Sequence, residues 1–490
     1  MQPKNKVQLI TYPDSLGGNL RSLRFLLENH FQGLFEGGIH LLPPYPSSGD
    51  RGYAPVSYFE IDPKFGSWEE VRQLGQNYDL MLDLMVNHIS AKSPYFQDYL
   101  QEGPGSRFAD MFLQVEKVWP DGGVPREDIG RMALRRPVPF SEFAVGGDHV
   151  KQLLMTTFGK EKPSEQVDLD VRSPVTRELF VSILNHFHEN DVHLVRLDAV
   201  GYVIKKPGTS CFFVEPEIFE FMDWLRQAAA ERDITVLPEV HADTVIQQEL
   251  SEHGYWTYDF VLPFLILAAL LTRDGRKLKR YLKGRSPHQF TMLDCHDGIP
   301  VMPDLSGYCD TMYMRGIVDL CLQRGANLTR LISANPQEAK GLDVHQICGT
   351  YFSMLGENED AYYAARALQF FTPGIPQIYY VGLLAGRNDF TAVQQTGEGR
   401  EINRHSYSLD EVEREVQRPI VQRLMRLIEF RNRYPAFDGH CEIEPSGDRK
   451  VVITWTKGPS WARLMVDLET GHTDVTFADL NSGKRVYLPN

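Results

Sequence analysis

Charged side chains of this 490-residue chain follow directly after short apolar runs of strand length. Asp198 stands in VRLDAVGY, Glu239 in PEVH and Asp297 in DCHDG. The steps from residue 198 to 239 and from 239 to 297 span 41 and 58 residues, about one and about two strand–helix units of a βα barrel. Cleavage of a glycosidic bond with retention needs one ionised carboxylate as nucleophile and one protonated carboxylic acid. The pattern therefore predicts glycosidic-bond chemistry.

The three carboxylates suit different roles. Arg196 lies two positions before Asp198 on the same strand face, and we expect its charge to keep Asp198 ionised as the nucleophile. Glu239 follows the apolar run ITVLP, and burial there would raise its pKa enough for an acid/base. Asp297 would orient sugar hydroxyls and stabilise positive charge at the anomeric carbon.

Two histidines accompany these carboxylates. His88 follows the third strand, in DLMVNH, and His296 precedes the last carboxylate in DCHD. Because barrel strands deliver their following residues to one mouth, we expect both rings to donate hydrogen bonds to the sugar ring hydroxyls. The histidines at 186 and 188, on a predicted helix, are expected to be structural.

Strand-length apolar runs alternate with amphipathic helical stretches, which indicates a parallel sheet wrapped by helices. Eight strands are predicted, the number that a closed barrel needs. They are 7–12, 39–43, 80–86, 192–197, 234–238, 258–262, 290–294 and 375–380, and helices are predicted at 20–31, 68–77, 174–190, 216–232 and 361–371.

Two long gaps and a changed C-terminal pattern complete the predicted organisation. The fold class is α/β: a (β/α)8 TIM barrel with inserted domains after strands 3 and 7 and a C-terminal antiparallel β domain. The predicted segments are barrel 1–86, insertion 87–171, barrel 172–297, insertion 298–360, barrel 361–436 and β domain 437–490.

Composition excludes several classes of protein. The formal net charge of −14 argues against nucleic-acid binding, so a small anionic ligand would need a local basic cluster. The most apolar stretch, 260–271, is the length of a core helix and too short for a membrane span. Six scattered cysteines without a C-x-x-C pair favour free thiols and a cytoplasmic location.

The motifs together resemble one enzyme family over essentially the whole chain. They are KNKVQLITY, VNHIS, VRLDAVGY, PEVH, DCHDGI, GIPQIYYVG and EINRH. With them the chain is similar to the sucrose phosphorylase branch of the α-amylase superfamily. The resemblance implies a double displacement that passes glucose to phosphate, with Asp198 as nucleophile, Glu239 as acid/base and Asp297 as transition-state stabiliser. It also implies that the enzyme has no cofactor.

The same resemblance implies further substrate-binding residues. Asp50 and Arg404 would hold the far hydroxyls of the glucosyl ring, and Tyr53 and Tyr202 would line its pocket. Asn87 stands where amylases bind calcium, but this branch does without that ion, so no metal is expected.

Two loops depart from the pattern of the plain sucrose enzymes. Those enzymes carry Tyr-Arg-Pro-Arg-Pro and Leu-Tyr-Gln, whereas this chain has MALRRP at 132–137 and VHQ at 344–346. Arg135 and His345 add donors for a phosphate on the acceptor, Arg136 is expected to bind inorganic phosphate or acceptors generally, and Gln346 is expected to bind substrate. The resemblance is strongest to members that use fructose 6-phosphate. Lys205 and Lys206 are expected to be a solvated pair.

Alternatives remain open at this point. The predicted substrates are sucrose 6F-phosphate or sucrose, inorganic phosphate, glucose 1-phosphate and fructose 6-phosphate. Other acceptors would make the chain a sucrose, glucosylglycerol or glucosylglycerate phosphorylase, and loss of phosphate dependence would make it a hydrolase or transglucosidase. A non-catalytic family member is disfavoured because all three carboxylates are present. The chain is expected to be a monomer or homodimer without nucleic-acid or membrane partners.

Overall fold

A computed structural model describes residues 2–121, 123–147, 149–332 and 342–489, with the backbone alone described at residue 50. The chain divides into two compact units. Unit 1 comprises residues 1–2, 41–240 and 331–343, and unit 2 comprises residues 3–40, 241–330 and 344–490. The segment boundaries expected from the sequence remain a prediction.

The strands within these residues are numbered in chain order. They are β1 Gln8–Thr11, β2 Gly38–Leu41, β3 Leu80–Met85, β4 His88–Ser90, β5 Phe140–Val145, β6 Val150–Met155, β7 Gln166–Asp168, β8 Val192–Asp198, β9 Thr235–Pro238, β10 Thr257–Asp259, β11 Gln289–Thr291, β12 Ile299–Pro300, β13 Asn327–Arg330, β14 Val344–Cys348, β15 Ile375–Tyr379, β16 His440–Ile443, β17 Lys450–Lys457, β18 Ser460–Asp467, β19 Thr473–Ala478 and β20 Arg485–Tyr487.

The α-helices are numbered in the same way. They are α1 Leu20–Asn29, α2 Trp68–Gly75, α3 Pro94–Glu102, α4 Val115–Val118, α5 Arg126–Arg131, α6 Pro174–Glu189, α7 Glu217–Ala230, α8 Thr244–Glu252, α9 Leu262–Thr272, α10 Arg276–Gly284, α11 Thr311–Gln323, α12 Tyr351–Met354, α13 Glu359–Phe371, α14 Tyr380–Leu383, α15 Phe390–Thr396, α16 Leu409–Glu415 and α17 Pro419–Arg433.

Eight strands form the sheet of an α-amylase-type TIM barrel, in the order β10-β11-β15-β1-β2-β3-β8-β9. Its strands pair in parallel, as β1 does with β15, β3 with β8, β8 with β9, β10 with β11 and β11 with β15. The barrel fold and all eight predicted strands are therefore confirmed, with ends shifted by up to a few residues. Strand β3 reads LMLDLM and is buried along its whole length, as expected where both faces of a parallel sheet are covered.

Unit 1 brings two polar strand ends into register. In the β3–β8 pairing, Asp83 lies opposite Arg196 and Met85 opposite Asp198. Strand β9 then pairs with β8 so that Pro238 lies opposite Leu197, and Glu239 follows immediately. The long segment between β3 and β8 contains two short antiparallel sheets, β4 with β7 and β5 with β6, as expected of an insertion with its own structure.

Unit 2 carries the terminal β structure. Strands β16 to β20 form an antiparallel sheet in chain order, which confirms the predicted C-terminal β domain. The sequence predicts four short alternating runs in this domain, at 451–455, 462–466, 472–477 and 485–488. Strand β16 was not among them, because HCEI is short and mostly polar. Between β11 and β15, in the region predicted as the second insertion, three described strands form a small antiparallel sheet in the order β12-β14-β13.

A buried ion pair ties strand end to helix inside unit 2. The Arg366 guanidinium of α13 donates to both oxygens of Asp294, at 2.8 and 2.7 Å. Gly382 lies against this pair, and a Cβ at that position would come within 1.9 Å of the guanidinium. The second glycine of GIPQIYYVG, Gly382, is therefore required by close packing.

No helix among the described residues is both long and apolar enough to cross a bilayer. The apolar stretch near residue 260 forms helix α9, whose residues are buried from Leu262 through Ala269. All six cysteines are free thiols, which confirms the expectation that the chain has no disulfide framework.

Candidate active site

One guanidinium contacts three carboxylates in unit 1, one within β3, one at the end of β8 and one directly after β9. Arg196 contacts Asp83 and, through the same Nη1, Asp198 Oδ1 at 2.9 Å. Its Nη2 lies 2.5 Å from Glu239 Oε1. The register explains the arrangement, since Asp83 and Arg196 are neighbours across the strands and Asp198 lies on the same strand face as Arg196.

The charged groups of this cluster shift one another's pKa values. Burial lowers the pKa of Arg196, but the carboxylates of Glu239, Asp83 and Asp198 outweigh burial and raise it. Burial and then the neighbouring Glu239 carboxylate raise the pKa of Asp198 well above its ordinary value, although Arg196 opposes them. Arg196 lowers the pKa of Asp198, in the direction expected from the sequence, but it is shared among three carboxylates, and burial together with Glu239 outweighs it. Two adjacent buried carboxylates such as Asp198 and Glu239 titrate as a coupled pair.

An aromatic wall adjoins the cluster in unit 1. The Tyr53 ring centroid lies 5.8 Å from the Arg196 guanidinium carbon. Nε2 of His88 lies 2.9 Å from the carbonyl oxygen of Tyr53, so this hydrogen bond uses one of the two imidazole nitrogens. Phe158 packs between the His88 and Tyr202 rings, with centroids at 5.1 and 5.2 Å. The binding of sugar hydroxyls by His88 and of substrate by Tyr53 and Tyr202 remains a prediction.

The adjacent arginines of the MALRRP loop differ in their surroundings. Arg135 is half-buried, with its guanidinium carbon 5.7 Å from the Phe158 ring centroid. Arg136 is only 7% exposed and donates to the carbonyl oxygens of Phe158 at 3.3 Å and Glu161 at 3.0 Å. Burial, the largest influence, lowers its pKa. Through these contacts Arg136 holds the 158–161 loop in place. Its expected role in binding phosphate remains a prediction.

The two lysines after Tyr202 also differ, and the expectation of a solvated pair is wrong for Lys205. That side chain is buried, and its ammonium lies 3.1 Å from Asp168 Oδ2 and 3.1 Å from Asn87 Oδ1. It also donates to the carbonyl oxygen of Tyr202. Lys206, by contrast, is 46% exposed and pairs with Glu217 at the surface, as expected.

The third candidate carboxylate, Asp297, lies in unit 2 among cations. Arg400 Nη1 is 2.8 Å from Asp297 Oδ1, and Arg404 Nη2 lies 3.9 Å from the same oxygen. His296 Nε2 is 3.8 Å from the other carboxylate oxygen. Arg404 also donates from Nε to the His296 carbonyl oxygen at 2.8 Å. The structure thus brings the predicted catalytic Asp297 together with His296 and Arg404, which were predicted to bind substrate, and adds Arg400.

The VHQ segment forms strand β14, so its successive side chains point to opposite faces. Gln346 is buried and its Oε1 accepts a hydrogen bond from Arg400 Nη2 at 3.2 Å. His345 is also buried, with Nδ1 2.8 Å from the carbonyl oxygen of Met302. The ring of His241 lies edge-on to His345, with centroids 5.6 Å apart.

Some residues at these sites were not found from the sequence. Arg400 and Asn403 belong to the GREINRH segment that supplied Arg404, and Asn403 Nδ2 donates to the carbonyl oxygen of Asp297 at 2.9 Å. Their place in that polar segment was the only available signal. Asp50, expected to hold sugar hydroxyls, lies outside the residues whose side chains are described, so its role remains a prediction.

Comparison with known proteins shows to which family the chain belongs. A family model described as the α-amylase catalytic domain matches residues 29–267. The chain is 53% identical over 488 residues to sucrose 6F-phosphate phosphorylase of Thermoanaerobacterium thermosaccharolyticum, with 100% of each protein covered. The chain belongs to the sucrose phosphorylase branch of the α-amylase family.

Other members of the branch agree with that assignment. The chain is 42% identical over 452 residues to sucrose phosphorylase of Streptococcus mutans, with 92% of each covered. A solved structure of sucrose 6F-phosphate phosphorylase from Thermoanaerobacter thermosaccharolyticum superposes with a TM-score of 0.96 at 53% identity, covering 99% of this chain and 98% of that one.

Proposed function

We propose that this protein is a retaining disaccharide phosphorylase that converts sucrose 6F-phosphate and inorganic phosphate to α-D-glucose 1-phosphate and fructose 6-phosphate. The observation that carries the chemistry is the Asp198–Glu239 pair held on neighbouring nitrogens of Arg196. A retaining mechanism needs two closely spaced carboxylates with one proton between them. The relatives named sucrose 6F-phosphate phosphorylase and sucrose phosphorylase support the phosphorylase activity.

The proposed reaction has two displacements. Asp198 attacks the glucosyl anomeric carbon while Glu239, acting as the general acid, gives a proton to the leaving oxygen of fructose 6-phosphate. Inorganic phosphate then attacks the glucosyl–Asp198 ester, and Glu239 accepts the proton that the phosphate hydroxyl loses. Asp297, held by Arg400, is proposed to stabilise positive charge at the anomeric carbon in both steps.

The preference for a phosphorylated acceptor is proposed to come from two side chains. Arg135 offers a planar fork of donors that suits phosphate, and it lies half-buried against the Phe158 ring. In the neutral His345 ring, the hydrogen bond to the Met302 carbonyl fixes the proton on Nδ1, and protonation would add a second donor at Nε2.

An acceptor panel tests this specificity. α-D-Glucose 1-phosphate is supplied with fructose 6-phosphate, fructose, glycerol or glycerate, and kcat/KM is compared. Arg135→Ala should lower kcat/KM for fructose 6-phosphate by the equivalent of about 1.5–3 kcal/mol, the usual value of a charge-assisted hydrogen bond. The kcat/KM for fructose should stay nearly unchanged. Equal losses for the two sugars would refute the role of Arg135, and a preference for another acceptor would refute the assigned substrate.

A second experiment tests the carboxylates. α-D-Glucosyl fluoride has a leaving group that departs without an acid, whereas sucrose 6F-phosphate needs one. Glu239→Gln should therefore abolish use of the disaccharide and retain glucosylation by the fluoride, while Asp198→Asn should abolish both. Glucose release that is independent of phosphate would instead indicate a hydrolase.

The remaining expectations belong to this proposal. Free thiols at all six cysteines support a cytoplasmic location. The substrates are small molecules, and action as a monomer or homodimer is proposed; a sedimentation measurement of the purified chain distinguishes the two.

A further inference from the structure

A buried lysine holds the turn that follows the proposed nucleophile. Lys205 is 6% exposed, and its ammonium reaches three different parts of unit 1. It lies 3.1 Å from Asp168 Oδ2 on strand β7 and 3.1 Å from Asn87 Oδ1 beyond strand β3. Its third contact is the carbonyl oxygen of Tyr202. A buried ammonium is stable only when it is paired and hydrogen-bonded, and these three acceptors use all three of its N–H groups.

The turn held by this ammonium has a strained backbone. Strand β8 ends at Asp198, and Ala199 adopts the left-handed conformation, with φ 54° and ψ 25°. Residues Val200–Tyr202 then form one 3₁₀ turn. A left-handed alanine is sparsely populated and persists only where surrounding contacts determine it. The Tyr202 carbonyl at the far end of the turn is one such contact point, and the Gly201 carbonyl, bonded to the N–H of Phe213 at 2.7 Å, is another.

The left-handed residue aims a donor at the proposed acid/base. The backbone N–H of Ala199 donates to Glu239 Oε2 at 3.2 Å, while Arg196 lies against Oε1. Both oxygens of Glu239 are thus fixed, one by a side chain and one by the turn. If the turn relaxed, Ala199 would lose its left-handed conformation and its N–H would leave the carboxylate.

We propose that Lys205 is a positioning residue for acid/base catalysis: by fixing the Tyr202 carbonyl it holds the turn whose Ala199 N–H orients Glu239. This inference rests on the proposed role of Glu239. Lys205 itself does not touch the reacting atoms in this assignment. Its effect should therefore be confined to steps that need a proton delivered by Glu239, which distinguishes it from a residue that only supports the fold.

The test compares two glucosyl donors in the full-length enzyme. Lys205→Met should lower kcat/KM for sucrose 6F-phosphate by about 10- to 100-fold, as expected for a misplaced general acid. With α-D-glucosyl fluoride the loss should be less than about 3-fold, because fluoride leaves without protonation. Lys206→Met is the matched control, since that neighbouring ammonium forms only an exposed pair with Glu217, and both donors should keep their wild-type values.

A second variant separates the loss of the hydrogen bond to Tyr202 from general misfolding. Lys205→Met leaves the carboxylate of Asp168 buried without its cation, so the double change Lys205→Met with Asp168→Asn restores charge balance without restoring the bond to Tyr202. The double variant should melt closer to the wild type and show the same selective loss of disaccharide activity. Thermal unfolding and circular dichroism establish that each variant is folded.

The outcomes separate this inference from the proposed function. Equal losses for both donors in the folded double variant, or no loss for either, would overturn the role of Lys205. Glu239→Gln is the reference: if it shows selective loss of the disaccharide and the Lys205 variants do not, the inference fails while the proposed function stands. If Glu239→Gln itself loses both donors equally, the acid/base assignment fails.

Discussion

The contact between Arg400 and Asp297 allows a quantitative prediction. The two charged atoms are 2.8 Å apart, and Arg400 is 24% exposed. At an effective dielectric constant of about 20 the gross Coulomb energy at this distance is about 6 kcal/mol, but desolvation offsets most of it. A charge-assisted hydrogen bond contributes about 1.5–3 kcal/mol net, and partial exposure favours the lower half of that range.

We therefore expect Arg400→Met to lower kcat/KM by about 10- to 40-fold, since about 1.4 kcal/mol corresponds to a factor of ten. The loss should be similar for sucrose 6F-phosphate and for α-D-glucosyl fluoride, because stabilisation of charge at the anomeric carbon is common to both donors. This pattern differs from the selective loss expected when Glu239 is disturbed.

The assay is steady-state glucose 1-phosphate production with each donor at saturating inorganic phosphate. Arg387→Met is the control, because Arg387 also contacts a carboxylate, Glu357, at 2.7 Å, but both side chains are largely exposed. That variant should stay within about 2-fold of the wild type, the range expected for a surface pair. A folded Arg400→Met variant with unchanged kcat/KM, or one that loses only the disaccharide, would refute the reasoning.

Three further predictions concern the pKa of Asp198, the buried pair of Arg366 and Asp294, and the hydrogen bonds of Arg136. In Glu239→Gln, the acidic limb of the pH profile of kcat/KM with α-D-glucosyl fluoride should move to lower pH. Asp198 must be ionised to attack, and the variant removes the Glu239 carboxylate that, after burial, raises the pKa of Asp198. A limb at the wild-type pH would contradict the electrostatic coupling of the two carboxyl groups. Asp294→Asn should reduce the free energy of unfolding by about 3–5 kcal/mol in urea titrations, because it leaves Arg366 buried beside a neutral amide, whereas Glu357→Gln at the surface should cost less than about 1 kcal/mol. Arg136→Met should lower the free energy of unfolding by about 1–3 kcal/mol, because it loses the hydrogen bonds to the carbonyl oxygens of Phe158 and Glu161. The ratio of kcat/KM for fructose 6-phosphate to kcat/KM for fructose should stay constant. A changed ratio would show that Arg136 does bind the acceptor.

Local periodicity was sufficient to predict the barrel, because strands and helices have distinct repeats of apolar residues. The same rhythm identified Asp198 and Glu239, since each follows a strand that the apolar pattern marks. It could not show that Arg196 would be shared among several carboxylates. That sharing depends on the register of β3 against β8, which places Asp83 beside Arg196 and leaves Asp198 with a raised rather than a lowered pKa.

Lysine side chains illustrate the same limit. Lys205 and Lys206 are adjacent and chemically identical, so composition and spacing treat them alike. Their environments differ because Lys205 meets Asn87 and Asp168, which are 118 and 37 positions away in the chain, while Lys206 meets solvent and Glu217. Arg135 and Arg136 diverge for the same reason, one half-buried against Phe158 and the other buried against carbonyl groups.

The sequence by itself determined the barrel, the chemical class and the identity of the candidate carboxylates, because these depend on residue type and on spacing along the chain. Only the tertiary structure decided which cation pairs with which carboxylate, and therefore in which direction the pKa of Asp198 is shifted and which lysine is buried. The physical reason is that the energies of buried charges depend on distance and desolvation, and both are fixed by contacts between segments far apart in the sequence.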